Sequence, residues 1–252
     1  MKESSIAIEL QDVSLTIPVF GAEHRNLRKV LMNSVTGGRL IHSKAGVNVE
    51  ALKNLNLLIK AGEKVALIGH NGAGKSSFLR LISGIYSPSS GILRLGVAVY
   101  PMLQRSFITS EDLSGIDAAK AYYLLFNRKA HGFDEFLDKV KDFSGLGDFL
   151  SLPIRGYSEG MASRLMFAIL TSRSHECLAI DEGFGTADAS FFEKAEARLK
   201  DFIDSAGTLI LASHSDDLLR KFCNRGLVFS HGSIIFDGQL EEALSFYQHH
   251  DD

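Results

Sequence analysis

Cysteine is nearly absent. Cys177 and Cys223 are the only two in 252 residues, with no CxxC spacing and no paired histidines near them. Neither a secreted disulfide framework nor a zinc site is supported, and a reducing compartment is expected. Long apolar runs are missing too. The most apolar stretch, Ile92–Leu103, is broken by Arg94, Gly96 and Pro101, well short of the ~18 residues a membrane span needs. Met1-Lys2-Glu3-Ser4-Ser5 carries an acid and lacks the apolar core of a signal peptide. The chain is expected in the cytosol, with any membrane role reached through a partner. A basic excess is also lacking. Net charge is -3 and the pI about 6.3, so no global field draws the chain to nucleic acid. There is no low-complexity segment and no internal repeat at the spacing of about 20 to 50 residues that marks solenoids and propellers. What remains is 45% apolar and 23% charged, an ordinary globular composition that can bury a sizeable core unaided.

Short apolar runs separated by turns predict strands at Ile6–Leu10, Val13–Ile17, Asn56–Lys60, Lys64–Ile68 and Ile92–Val99. A basic insert from Gly21 to Gly46 carries Arg25, Arg28, Lys29, Arg39 and Lys44, with helical spacing over Asn26–Leu31. It reads either as a solvated helix face or as a contact for an anionic membrane leaflet or a lipid-linked pyrophosphate. Apolar spacing of three and four predicts helices over Asp112–Asn127, Phe133–Phe143 and Glu159–Arg173. The last third alternates strand Leu178–Ile180, helix Ala189–Asp204, strand Thr208–Ala212 and helix Asp216–Phe222. A hairpin of Leu227–Phe229 and Ser233–Phe236 then turns at His231-Gly232, before a closing helix Leu240–Gln248. The pattern predicts an α/β core with an inserted helical subdomain at about 107–175, all within one domain of residues 1–252.

Three stretches carry chemistry. Val65–Ile68 runs into Gly69-His70-Asn71-Gly72-Ala73-Gly74-Lys75-Ser76-Ser77 and then an amphipathic helix. Strand, GxxxxGK[ST] and helix together are the context of a phosphate-binding loop. Its glycines let backbone N–H groups face anionic oxygens, and the helix start adds its positive end. Lys75 supplies a charge for the β- and γ-phosphates, and the Ser76 hydroxyl suits Mg²⁺. Cys177–Ile180 ends in Asp181-Glu182, placing Asp181 to hold Mg²⁺ through water and Glu182 to polarise an attacking water. Tyr157-Ser158-Glu159-Gly160-Met161 opens a helix, where Ser158 and Gly160 make a second anion site.

In this order and spacing the motifs resemble the ATP-binding cassette (ABC) ATPases, over essentially the whole chain from Ile6 to Tyr247. The resemblance implies a P-loop NTPase fold of the ABC type, with an inserted helical subdomain and an antiparallel β edge. It implies that Gln104 touches Mg²⁺ and senses a membrane partner, that Asp188 crosses to a second protomer, and that His214 grips the γ-phosphate. An aromatic upstream of the loop stacks on adenine in that family; Phe20 is the candidate, with plain core packing as its alternative. Departures from the family pattern narrow the resemblance. Tyr157, Glu159 and Met161 replace the usual signature residues, and Gly183 replaces a proline. Tyr-Ser-x-Gly-Met, the insert before Ala51 and the ending with Cys223, Gly232 and Gly238 are similar to the subfamily powering bacterial polysaccharide export, of O-antigen, teichoic-acid or capsule type.

The resemblance therefore implies a homodimeric ATPase that binds ATP and Mg²⁺ on the cytoplasmic face of the inner membrane. Integral-membrane permease subunits would handle the lipid-linked glycan. The alternatives are an exporter ATPase for a drug or lipid cargo, and a non-transport ABC ATPase. No nucleic-acid partner is expected. With only His249-His250-Asp251-Asp252 after the closing helix, no carboxy-terminal carbohydrate-binding domain is expected either.

Overall fold

Alternating apolar residues between Ile6 and Val19 build β1 (Ile6–Val19), a single bent strand where the sequence predicts two. Its bend is at Asp12, which takes a φ of 47°, and Asn54 of the neighbouring strand takes 45°. Reciprocal bonds hold the bend. The Asp12 N–H donates to Asn56 Oδ1 at 2.9 Å, and Asn56 Nδ2 donates back to Asp12 Oδ1 at 2.8 Å. The strand β2 (Arg39–Ser43) lies in the basic insert and is not predicted. It pairs with β3 (Gly46–Lys60), which begins well before the expected Asn56. The structure, a computed structural model, describes residues 5–19, 39–43, 46–102, 110–127, 131–173, 175–181, 197–198, 200–203, 205 and 207–250. The expected helix at Asn26–Leu31 lies outside them, as does most of Ala189–Asp204.

The stretch predicted as one strand at Ile92–Val99 is two, β5 (Ser90–Leu95) and β6 (Val99–Met102), in different sheets. Gly96 is the reason. Its N–H donates to Ala7 O at 2.9 Å, and a Cβ there would fall 2.0 Å from Ile6 O. The chain passes β1 too tightly to carry a side chain, and leaves the first sheet. That sheet is antiparallel, in the order β2-β3-β1-β5.

The second sheet has the order β10-β9-β4-β8-β7-β6. It contains β4 (Lys64–Ile68), β7 (Cys177–Ile180), β8 (Thr208–Ala212), β9 (Arg225–Ser230) and β10 (Ser233–Gln239). All neighbours pair parallel except β9 and β10. The near-continuous burial of β4, β7 and β8 is what a parallel strand covered on both faces requires. Helix α1 (Lys75–Ile82) buries Phe78, Leu79, Leu81 and Ile82 in a core shared with Ile8 and Leu52 of the first sheet and Leu67 and Phe229 of the second.

The chain divides into two compact units: Met1–Leu103, His175–Glu182 and Ala206–Asp252, then Gln104–Ser174 and Gly183–Ser205. Among the described residues the first unit holds both sheets, α1 and two further helices near the end of the chain. The second is helical. Its elements α2 (Gly115–Phe126), α3 (Phe133–Ser144) and α4 (Glu159–Thr171) follow the predicted periodicity, α4 ending two residues before Arg173. Rings of Tyr122, Phe136, Phe143 and Phe167 are buried there. In the first unit, α5 (Asp216–Phe222) and α6 (Leu240–His250) close the chain. Among the described residues no helix is long and apolar enough to cross a membrane.

Candidate functional site

Four parallel neighbours put the candidate residues on one edge. Leu67 pairs with Ala212, Leu211 with Ile180 and Ile180 with Met102. The carboxyl ends of β4, β8 and β7 therefore finish almost level, and the next residues are Gly69, Ser213-His214 and Asp181. Ligands of open α/β sheets sit outside such ends. Neighbouring strands are ~4.8 Å apart, so β7 and its Asp181 lie roughly 10 Å across the sheet from β4. The Asp181 N–H donates to Met102 O at 3.1 Å, which anchors the strand end.

The loop from Gly69 to Gly74 is built around backbone. Gly74 has a φ of 116° and is the N-cap of α1. At Gly69, φ 143°, a Cβ would fall 2.4 Å from Phe229 O. Lys75 is 9% exposed, and its ammonium donates to the carbonyls of Gly69 and His70. Burying an ammonium is costly unless it is hydrogen-bonded, and the loop satisfies it. Among the described α-helices, α1 alone has neither a capping side chain nor an acid in its first turn. The N–H groups at its start and its positive end suit an anion brought from outside. Ser76, in the first turn of α1, and Asp181, at the carboxyl end of β7, are half-buried and offer hard oxygen donors of the kind Mg²⁺ takes. The donor set fits a nucleoside triphosphate with Mg²⁺.

Two contacts that the sequence does not announce lock this loop. His214 Nε2 lies 3.0 Å from Asn71 Oδ1, tying the β8 end to the loop. The Gly232 N–H, in the β9–β10 turn, donates to Ala73 O at 2.8 Å, and Gly232 O accepts from the Lys53 N–H at 2.9 Å. A Cβ on Gly232 would meet Ala51 O at 2.8 Å. The His231-Gly232 turn signal is legible in the sequence, but what the turn touches is not.

In the helical unit, Ser158 is the N-cap of α4 and accepts from the Met161 N–H at 3.2 Å. Gly160 faces open space, since a Cβ there would meet only Ser158 Oγ at 4.0 Å. The helix start is thus uncovered, with Glu159 exposed in its first turn. Tyr157 holds the approach: its hydroxyl donates to Phe149 O at 2.6 Å, and burial pushes the phenol pKa up. Phe20, Gln104, Glu182 and Asp188 lie outside the described residues.

The family profile described as ABC transporter matches residues 52–185. The chain is 42% identical over 226 residues to the O-antigen export system ATP-binding protein RfbE of Yersinia enterocolitica, covering 89% of this chain and 94% of that one. It is 31% identical over 250 residues to the O-antigen export system ATP-binding protein RfbB of Myxococcus xanthus, covering 98% of this chain but 57% of that longer one. Among solved structures, the dimeric post-hydrolysis state of the ATP-binding cassette MJ0796 bound to ADP and Pi aligns with a TM-score of 0.67. Sequence identity there is 17%, with 92% of this chain and 98% of that chain covered, so this likeness shows the fold.

Proposed function

The chain belongs to the ABC transporter family of ATP-binding proteins, and on that premise we propose that it hydrolyses ATP to drive export of a lipid-linked cell-surface polysaccharide. The near-full-length identity with an O-antigen export ATP-binding protein carries the cargo assignment. The Tyr157-Ser158-Glu159-Gly160-Met161 signature supports it independently.

In this reading the loop N–H groups and Lys75 bind the triphosphate, and Lys75 exchanges loop carbonyls for phosphate oxygens. Ser76 and Asp181, with Gln104 by the family resemblance, would hold Mg²⁺, which would offset the negative charge of the triphosphate. Glu182 accepts the proton of the attacking water as the new bond to the γ-phosphorus forms and the bond to the bridging oxygen of ADP breaks. His214, whose Nε2–H donates to Asn71 Oδ1 in this structure, exchanges that acceptor for a γ-phosphate oxygen. Phe20 stacks on adenine. Ser158 and Gly160 present an uncovered helix start to the nucleotide of a second protomer, and Asp188 reaches across to it. One cassette carries two half-sites, so a two-fold dimer completes both. The ATPase works at the cytoplasmic face of the inner membrane, where opening of the dimer moves separate permease subunits.

A Lys75→Ala replacement in the native host tests this. Surface polysaccharide should be lost while its lipid-linked form accumulates inside, with drug tolerance unchanged. Normal surface polysaccharide in that strain contradicts the cargo assignment.

A further inference from the structure

Beside the phosphate loop two imidazoles meet that the hydrolytic reading does not pair. The rings of His70, in the loop, and His231, in the β9–β10 turn, have centroids 5.5 Å apart with planes inclined at 58°. His70 Nδ1 lies 2.9 Å from the carbonyl oxygen of Asn71. A carbonyl only accepts, so Nδ1 carries the proton and Nε2 keeps its lone pair. Metal-binding histidines are held in the same way, by an acceptor on the nitrogen that does not face the metal.

The spacing suits a tetrahedral ion. With metal–nitrogen bonds of about 2.0–2.1 Å, the ion sits roughly 3.2 Å from each ring centre, and a tetrahedral angle separates the centres by about 5.2 Å. The observed separation is within a few tenths of an ångström of that. Both carriers are fixed in place. His70 follows Gly69, whose backbone abuts Phe229 O, and His231 takes a φ of 47° in a turn bonded to Ala73 and Lys53 through Gly232. His231 is exposed and His70 half-buried, so water can complete the coordination.

We propose that His70 and His231 form a two-imidazole site for a borderline-soft divalent cation, Zn²⁺ foremost, which clasps the β9–β10 turn to the phosphate loop. Mg²⁺ does not compete for it, because it prefers oxygen donors in octahedral array. Sequence spacing conceals the pair, since its two members belong to elements that only the fold brings together.

The test uses the full chain without an affinity tag, carrying His249→Gln and His250→Gln to remove the terminal histidines. Titration with ZnCl₂ by calorimetry, without nucleotide, should show one Zn²⁺ per chain. His231→Asn tolerates the positive φ and should weaken binding at least about tenfold, as should His70→Gln. Co²⁺ in place of zinc should give the visible absorption of a tetrahedral site in the parent and not in either variant. Zinc should also raise the melting temperature of the parent alone. Equal zinc binding by parent and His231→Asn, or none by the parent, overturns the site. Because the readout is metal binding, its failure leaves the ATPase assignment untouched.

Discussion

In the proposed function, nucleotide affinity turns on Lys75. Its ammonium is buried on two loop carbonyls, so phosphate oxygens replace partners that are weaker and uncharged. A hydrogen bond to a charged group contributes about 1.5–3 kcal/mol, which corresponds to roughly 10–150-fold in affinity. Lys75→Ala should weaken ATP binding by that factor in a nucleotide titration, and an unchanged Kd would remove the loop from its role. The two thiols stand at the opposite pole. Burial pushes Cys177 and Cys223 up to about 12, so at pH 8 each stays a neutral thiol, and thiolate appears only as pH approaches that value. Neither should react with iodoacetamide in the folded chain at pH 8, and both should react in urea; mass spectrometry distinguishes the outcomes. Labelling of the native chain at either position would contradict the described packing.

At the scale of elements, the approach to α4 depends on close packing around Tyr157. A Cβ on Gly115 would lie 2.7 Å from the Tyr157 hydroxyl and 3.0 Å from Leu150 Cδ2. Gly115→Ala should destabilise the chain by about 1–3 kcal/mol. Tyr157→Phe, which removes the bond to Phe149 O, should cost about 0.5–1.5 kcal/mol. Thermal melts check both, and an unshifted Gly115→Ala melt would refute the tight fit. Elements with local signals were legible. Lys64–Ile68, Thr208–Ala212 and Asp216–Phe222 have the predicted bounds, because apolar runs and the Ser215 cap mark their own ends. Where a distant backbone decides, the sequence was silent. Gly96 splits a stretch that reads as one strand by pressing on β1, and Asp12 and Asn54 bend a pair of strands that reads as separate pieces. Arg39–Ser43 forms a strand by pairing with β3, a partner that its own composition does not reveal.

Across the whole molecule, the phosphate loop and Asp181 were readable as contiguous motifs. Their alignment on one sheet edge was not, since it depends on the order β4-β8-β7. The Asn71–His214 tether and the Gly232 brace also join residues far apart in the chain. In the proposed function this edge hydrolyses ATP within a shared dimer, with Glu182 as the proton acceptor. Glu182→Gln keeps the shape but cannot take the proton, and loss of a general base costs about 10²–10⁴-fold. Phosphate release, measured on the purified chain alongside its mass by light scattering in ATP·Mg²⁺, tests that directly. Glu182→Gln should bind ATP normally, release phosphate at most a hundredth as fast as wild type and accumulate as a dimer. Wild-type hydrolysis, or a chain that stays monomeric when loaded with ATP, would contradict it.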